Sequence, residues 1–204
     1  MVNLTKGQKI SLTKESSGLK NVMVALGWDE AKIQPVKFSL FSRKPKQHNI
    51  DCDTSAILLD ENGKCIDNSD VIYFGNLTHK SGTVKHQGDN LTGEGDGDDE
   101  QILVDLANLP SKYCKIAFVV TIYKADERNQ NFGMIQNAYI RIVDTSNGNK
   151  ELCKFNLSND INYNDKTSML FGELYRHNGE WKFNAIGEGL YSVGISNIVN
   201  QNYR

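Results

Sequence analysis

From Asp89 to Glu100 the chain reads Asp-Asn-Leu-Thr-Gly-Glu-Gly-Asp-Gly-Asp-Asp-Glu, which places six carboxylates, one Asn, one Thr and three glycines in one short stretch. No Lys or Arg occurs between Lys85 and Lys112 to offset them. Hard oxygen ligands on a backbone loosened by Gly93, Gly95 and Gly97 suit Ca²⁺, which takes about 6–8 oxygens in an adaptable shell. Soft metals are disfavoured, because the stretch holds no Cys and His86 is the only imidazole beside it. The competing reading is a solvated acidic loop, the usual fate of such a composition. Two features favour a site. The carboxylates run straight into Gln101-Ile-Leu-Val-Asp-Leu106, which alternates like a strand and would hold Asp99 and Glu100 in place. Asn90 and Thr92 also add neutral oxygens that solubility alone does not require. An EF-hand is excluded: a loop starting at Asp96 has Gln101 at its sixth position, and one starting at Glu94 has Asp99, where Gly is needed.

A second acidic pair lies upstream in Asp51-Cys-Asp53-Thr-Ser55. Residues two apart on a strand share a face, so Asp51 and Asp53 are candidates to complete the site from another segment. The alternative is a solvent-facing pair at a strand start. Asp-x-Asp-x-Ser also has the outline of an aspartyl-nucleophile phosphatase motif. That chemistry needs a buried apolar strand before the first Asp, and Lys46-Gln-His-Asn-Ile50 is not one.

The elements that must position these residues read as many short strands. Leu19–Leu26, Val36–Phe41, Asp51–Asp60, Asp70–Phe74, Lys115–Tyr123, Ala138–Asp144, Met169–Arg176 and Glu180–Ile186 are the clearest, with Lys115–Tyr123 central. Asn62-Gly63, Asn147-Gly148 and Asn178-Gly179 predict hairpin turns, the first returning into Cys65-Ile66. Residues 42–50 read as an exposed basic loop, 126–134 as a polar stretch with a short helix, and 190–200 as a marginal C-terminal helix. His48, His79, His86 and His177 are scattered and read as surface residues. About ten strands with no βαβ alternation predict an all-β antiparallel sandwich with a few short helices. The 204 residues are expected to form one domain, with 188–204 as a tail or short helix.

A net charge of −2 excludes a whole-protein attraction to nucleic acid. No apolar run approaches the ~20 residues of a membrane span, and the first ten residues lack a signal-peptide core. Cys52, Cys65, Cys114 and Cys153 form no Cys-x-x-Cys pair, which suits free thiols in a cytoplasmic chain.

The assembled motifs resemble the TerD family of tellurite-resistance and chemical-stress proteins. Leu4-Thr-Lys-Gly7, Leu12-Thr-Lys-Glu15, Leu26-Gly-Trp-Asp29 and Asp51 to Ser55 carry the likeness. So do the signature Gly88 to Glu100, Phe132-Gly133, Asn137 to Arg141, Phe171 to Arg176 and Glu180 to Phe183. It covers about residues 1–187. Cys52 and Thr54 depart from it where Leu and Ala are common. The resemblance implies a β-sandwich that binds Ca²⁺ through Asp51, Asp53, Asp89, Asn90, Asp98, Asp99 and Glu100, with Glu94 and Asp96 on glycine hinges completing the set. The eight carboxylates of this set keep a formal −6 with one Ca²⁺ and −4 with two, so two ions are expected. The function it implies is that of a non-enzymatic, calcium-binding stress-response protein. The ion would order the acidic loop for other stress-response proteins or a small anionic ligand. The alternatives are a metal-dependent phosphoryl-transfer enzyme and a nucleotide-type ligand binder, with Arg141 or Arg176 serving the anion.

Overall fold

The computed structural model describes residues 1–30, 49–88, 97–157, 163–192 and 194–204, residue 30 by its backbone alone. The expected strand at 36–41, and residues 42–48 of the basic loop, lie outside the described residues.

Alternation of period two builds the strands that matter most. In β7 (Glu100–Asp105), Glu100, Ile102 and Val104 are buried while their neighbours are half-buried. In β12 (Glu180–Leu190), Trp181, Phe183 and Ala185 face inward. Such strands have one face to hide, and two sheets hide their faces against each other. One sheet has the order β1 (Val2–Leu4), β10 (Lys150–Asn156), β9 (Ile135–Asp144), β3 (Asn21–Glu30), β7 and β6 (Val84–His86). The other runs β2 (Lys9–Ser11), β12, β11 (Ser168–His177), β8 (Lys115–Ile122), β4 (Cys52–Leu59) and β5 (Val71–Ile72). β1 and β10 are parallel, and the remaining pairs are antiparallel. The all-β sandwich expected from the pattern is therefore present. The described residues hold twelve strands rather than about ten, because β1, β2, β5 and β6 have only two or three residues each and leave little periodicity to read.

β4 is buried along its whole length, which alternation on one face does not explain. Cys52, Ala56 and Leu58 enter the core between the sheets. Ile57 and Leu59 point the other way, into a second cluster with Ala117 and Val119 of β8. The helix α3 (Ile195–Asn202) closes that cluster with Ile198 and Val199, and Tyr203 follows. The marginal C-terminal helix is thus the cover of an outer sheet face. Two shorter helices, α1 (Leu12–Glu15) and α2 (Ala125–Arg128), sit at strand ends.

The turns are chemically specified. Asn178 and Gly179 both have positive φ (52° and 76°), the type I′ signature of a two-residue hairpin between β11 and β12. The first Asn-Gly turn forms, with the Gly63 N–H donating to Asp60 O at 3.1 Å, but its return strand does not. The Cys65 N–H instead donates to Tyr203 O at 2.7 Å, and β5 takes the place beside β4. Ile50, expected in an exposed loop, is buried in the core.

Candidate metal centre

At one end of the sandwich β3 runs out, β4 and β7 begin, β8 ends and β9 begins. The acidic run re-enters the described residues there, at Gly97. Asp89, Asn90, Glu94 and Asp96 lie outside the described residues. The other five candidate ligands fall into three settings.

Asp51 and Asp53 share a face, as their spacing predicts, and it is the outer face of the β4 sheet. Asp51 Oδ2 lies 3.8 Å from Arg128 Nη1 of α2, and Asp53 borders a groove beside α2 and α3. Both carboxylates are buried. Glu100 points inward instead. Its Oε2 accepts the Thr54 backbone N–H at 2.5 Å, so a side chain of one sheet is tied to the backbone of the other. His86 Nε2 stands 3.7 Å from the same oxygen. The Gly88 N–H donates to His86 Nδ1 at 3.2 Å, which leaves the imidazole proton on Nε2, facing Glu100. Glu100 Oε1 is buried and has no hydrogen-bond partner among the described residues. Burial pushes the Glu100 carboxyl up from its ordinary pKa, against the opposing pull of His86 and Thr54.

Asp98 and Asp99 are held by the backbone and by β9. The Trp28 N–H donates to Asp99 Oδ2 at 2.8 Å, and the Asp99 N–H donates to Leu26 O at 2.8 Å. Burial pushes Asp99 up as well, against the Trp28 hydrogen bond. Asp98 meets a planar fork: Arg141 Nε reaches Oδ1 at 2.8 Å and Nη2 reaches Oδ2 at 2.7 Å. Tyr139 Oη donates to Asp98 Oδ1 at 3.0 Å, and Glu151 Oε2 takes the remaining Arg141 nitrogen at 2.8 Å. Replacing Arg141 by Met leaves the nearly buried Asp98 carboxylate without its counter-charge. A loss of about 2–3 kcal/mol is expected, read as a lower denaturant midpoint. An Arg141→Met/Asp98→Leu double variant should recover most of it.

Cys52 sits between these groups. Burial, then Glu100, Asp53, Asp51 and Asp99, push its thiol well above the ordinary range, so it is neither nucleophile nor soft ligand at neutral pH. The other thiols are also unpaired with one another. Two histidines correct the surface reading: His79 and His86 are buried. For His86 the signal was the alternation of Val84 and His86, which puts both on the inward face. Tyr139 and Glu151 carried no such signal, because they join the site only through pairing of β9 with β3 and β10.

Among the described residues no three His, Cys, Asp or Glu side chains are close enough to hold an ion by themselves. The donors that are present nevertheless fit a hard cation. They are oxygens, those of Asp51, Asp53 and Glu100 belong to buried residues, and Glu100 Oε1 lacks a donor among the described residues. Asp98 fits it least, since the guanidinium occupies both its oxygens. A centre here would take further ligands from 89–96.

The chain is 48% identical over 202 residues to stress response protein SCP2 of Bacillus subtilis, covering 98% of each. It is 46% identical to tellurium resistance protein TerD of Serratia marcescens, over 98% of this chain and 96% of that one. Among solved structures, a homologue of telluride resistance protein (TerD) from Streptomyces coelicolor A3(2) shares the fold, with a TM-score of 0.62 at 22% identity over 86% of this chain and 92% of that one. The TerD domain model matches residues 1–202, so the C-terminal cover α3 falls inside the match, and the chain belongs to the TerD family.

Proposed function

We propose that this chain is a calcium-binding, non-enzymatic stress-response protein of the tellurium-resistance type, acting in the cytoplasm. The observation that carries the reading is Glu100, a buried carboxylate with one oxygen tied across the sandwich and the other lacking a donor among the described residues, at the exit of the acidic run. The names of relatives 46–48% identical over nearly the whole chain support the stress setting. Asp99, Glu100, Asp51 and Asp53 would hold Ca²⁺ together with Asp89, Asn90, Glu94 and Asp96, while Asp98 anchors the run to Arg141. A bound Ca²⁺ supplies positive charge that offsets this excess of carboxylates, and the charge count favours two ions. The ion biases the acidic segment toward one arrangement only through its differential affinity, and that arrangement is what a partner protein would read. An antiparallel sandwich, with Ser55 of the Asp-x-Asp-x-Ser sequence buried, supports a binding role over phosphoryl transfer. No helix among the described residues is long and apolar enough to cross a membrane.

The test is calorimetric titration of chelator-treated protein with Ca²⁺ and with Mg²⁺, repeated on Asp53→Asn and Glu100→Gln. Selective Ca²⁺ binding that weakens at least tenfold in both variants is expected. A dissociation constant of about 10⁻⁷–10⁻⁵ M would make the site a sensor, and a tighter one a permanent staple. Equal, weak heats for both ions would return the acidic run to a solvated loop.

A further inference from the structure

Behind Asp53, on the outer face of the β4 sheet, lies a groove of about 460 Å³. This is within the range of small-molecule sites. Its lining includes Tyr73 and Phe74, just after β5, and Tyr123, just after β8. The first turns of α2 and α3 also line it, together with the cross-strand partners Asp53 and Thr121.

Three properties of this groove point to one ligand chemistry. The first is aromatic geometry. The Tyr73 and Phe74 rings stand at 80° with centroids 5.3 Å apart, a right-angled corner, and Tyr123 adds a third ring. Phe74 and Tyr123 are 48% and 40% exposed, more than their apolar surface warrants in an ordinary wall. The second is charge. Asp53, Asp126 and Glu127 line the groove against one amine, Lys124, and that amine pairs with Glu127 at 3.5 Å. The third is that cations already gather on the Tyr123 ring, with Lys124 Nζ 5.6 Å and the Arg128 guanidinium 5.1 Å from its centroid.

An anion is opposed by the carboxylates. A bare metal ion needs a shell of convergent oxygens, and among the described residues no three Asp, Glu, His or Cys side chains come close enough to hold one. An alkylated ammonium wants what is present: π faces for its methyl groups and a carboxylate for its charge. We infer that the groove between α2, α3 and the Tyr73–Phe74 corner binds an organic cation with a quaternary or alkylated ammonium head. This assignment does not depend on the metal centre, although Asp53 borders both.

The test uses the full chain with chelator present, so that no metal competes for Asp53. Choline is titrated by NMR, beside its uncharged carbon isostere 3,3-dimethylbutan-1-ol and sodium chloride. Saturable choline binding is expected, at least tenfold tighter than the isostere. It should weaken at least tenfold in Phe74→Ala, a change at an exposed ring that spares the fold. Asp126→Asn should weaken it several-fold with an unchanged melting curve. A peptide carrying trimethyl-lysine, run in parallel, locates the source of the head group: tighter peptide binding places it on a protein, tighter choline binding on a free metabolite. Absence of binding by both cations, equal binding of the isostere, or full retention in Phe74→Ala would each overturn the assignment.

Discussion

Replacing Asp70 by Ala is expected to destabilise the fold by about 3–5 kcal/mol, because it removes the acceptor at the centre of a buried network. For a chain of this size that is a fall in melting temperature of roughly 6–20 °C. The Asp70 carboxylate is fully buried. Its Oδ1 accepts Tyr113 Oη at 2.7 Å and lies 3.3 Å from His79 Nε2 and 3.2 Å from Lys80 Nζ. Its Oδ2 accepts the Asp67 N–H at 3.2 Å and completes a capping box on the 3₁₀ turn before β5. The Ser81 N–H donates to His79 Nδ1 at 3.2 Å, so the imidazole proton faces Asp70. Alanine would leave the Tyr113 hydroxyl and the His79 N–H buried without an acceptor, whereas Lys80 can turn to water. Asn keeps one acceptor oxygen and should cost less. A loss below about 1 kcal/mol in Asp70→Ala would refute the account.

The same network sets a direction in pH. Burial would raise Asp70, but the Tyr113, His79 and Lys80 donors outweigh it and hold the carboxyl below its ordinary value. Its contribution is therefore present above the unfolded pKa of about 3.9 and is lost as pH falls through the folded value. Burial depresses His79, so the unfolded chain takes up a proton near pH 6.5 before the folded one does. Both groups make acid destabilising.

Loading the cation centre is the other large effect. Ca²⁺ at 100 times its dissociation constant stabilises by about 2.7 kcal/mol, and at 1,000 times by about 4.1 kcal/mol. Thermal melts with Ca²⁺ and with chelator should show that gap in the wild-type chain and lose most of it in Glu100→Gln. The chelated proteins should rank the other way. Burial raises Glu100, because its charged form bears a desolvation in the folded chain that it does not bear in the unfolded one. The metal-free fold therefore gains stability as pH falls through the folded Glu100 pKa, and the gain is complete near the unfolded value. Glu100→Gln should remove that rise and make the chelated fold more stable than wild type above the folded Glu100 pKa. A variant that is less stable than wild type both with and without Ca²⁺ would show that Glu100 serves the fold and not an ion.

The strands, the Asn-Gly turns and the run from Asp98 into β7 were legible because each is local. Period-two burial and positive φ are properties of neighbouring residues, and six carboxylates in twelve positions need no fold to be recognised. The tertiary structure decided the rest. The Asp98–Arg141 fork joins residues 43 positions apart, and the Glu100 bond to Thr54 spans 46. Either bond exists only because strands from distant segments pair and stack. The same packing buried His79 and His86, which composition alone assigns to the surface. It also made a weak C-terminal helix the cover of β4 and β8, since Ile57, Leu59, Ala117 and Val119 had to be hidden. Chemistry carried by a single segment was visible in its residue types, whereas chemistry shared between segments depended on which faces the sandwich turned toward each other.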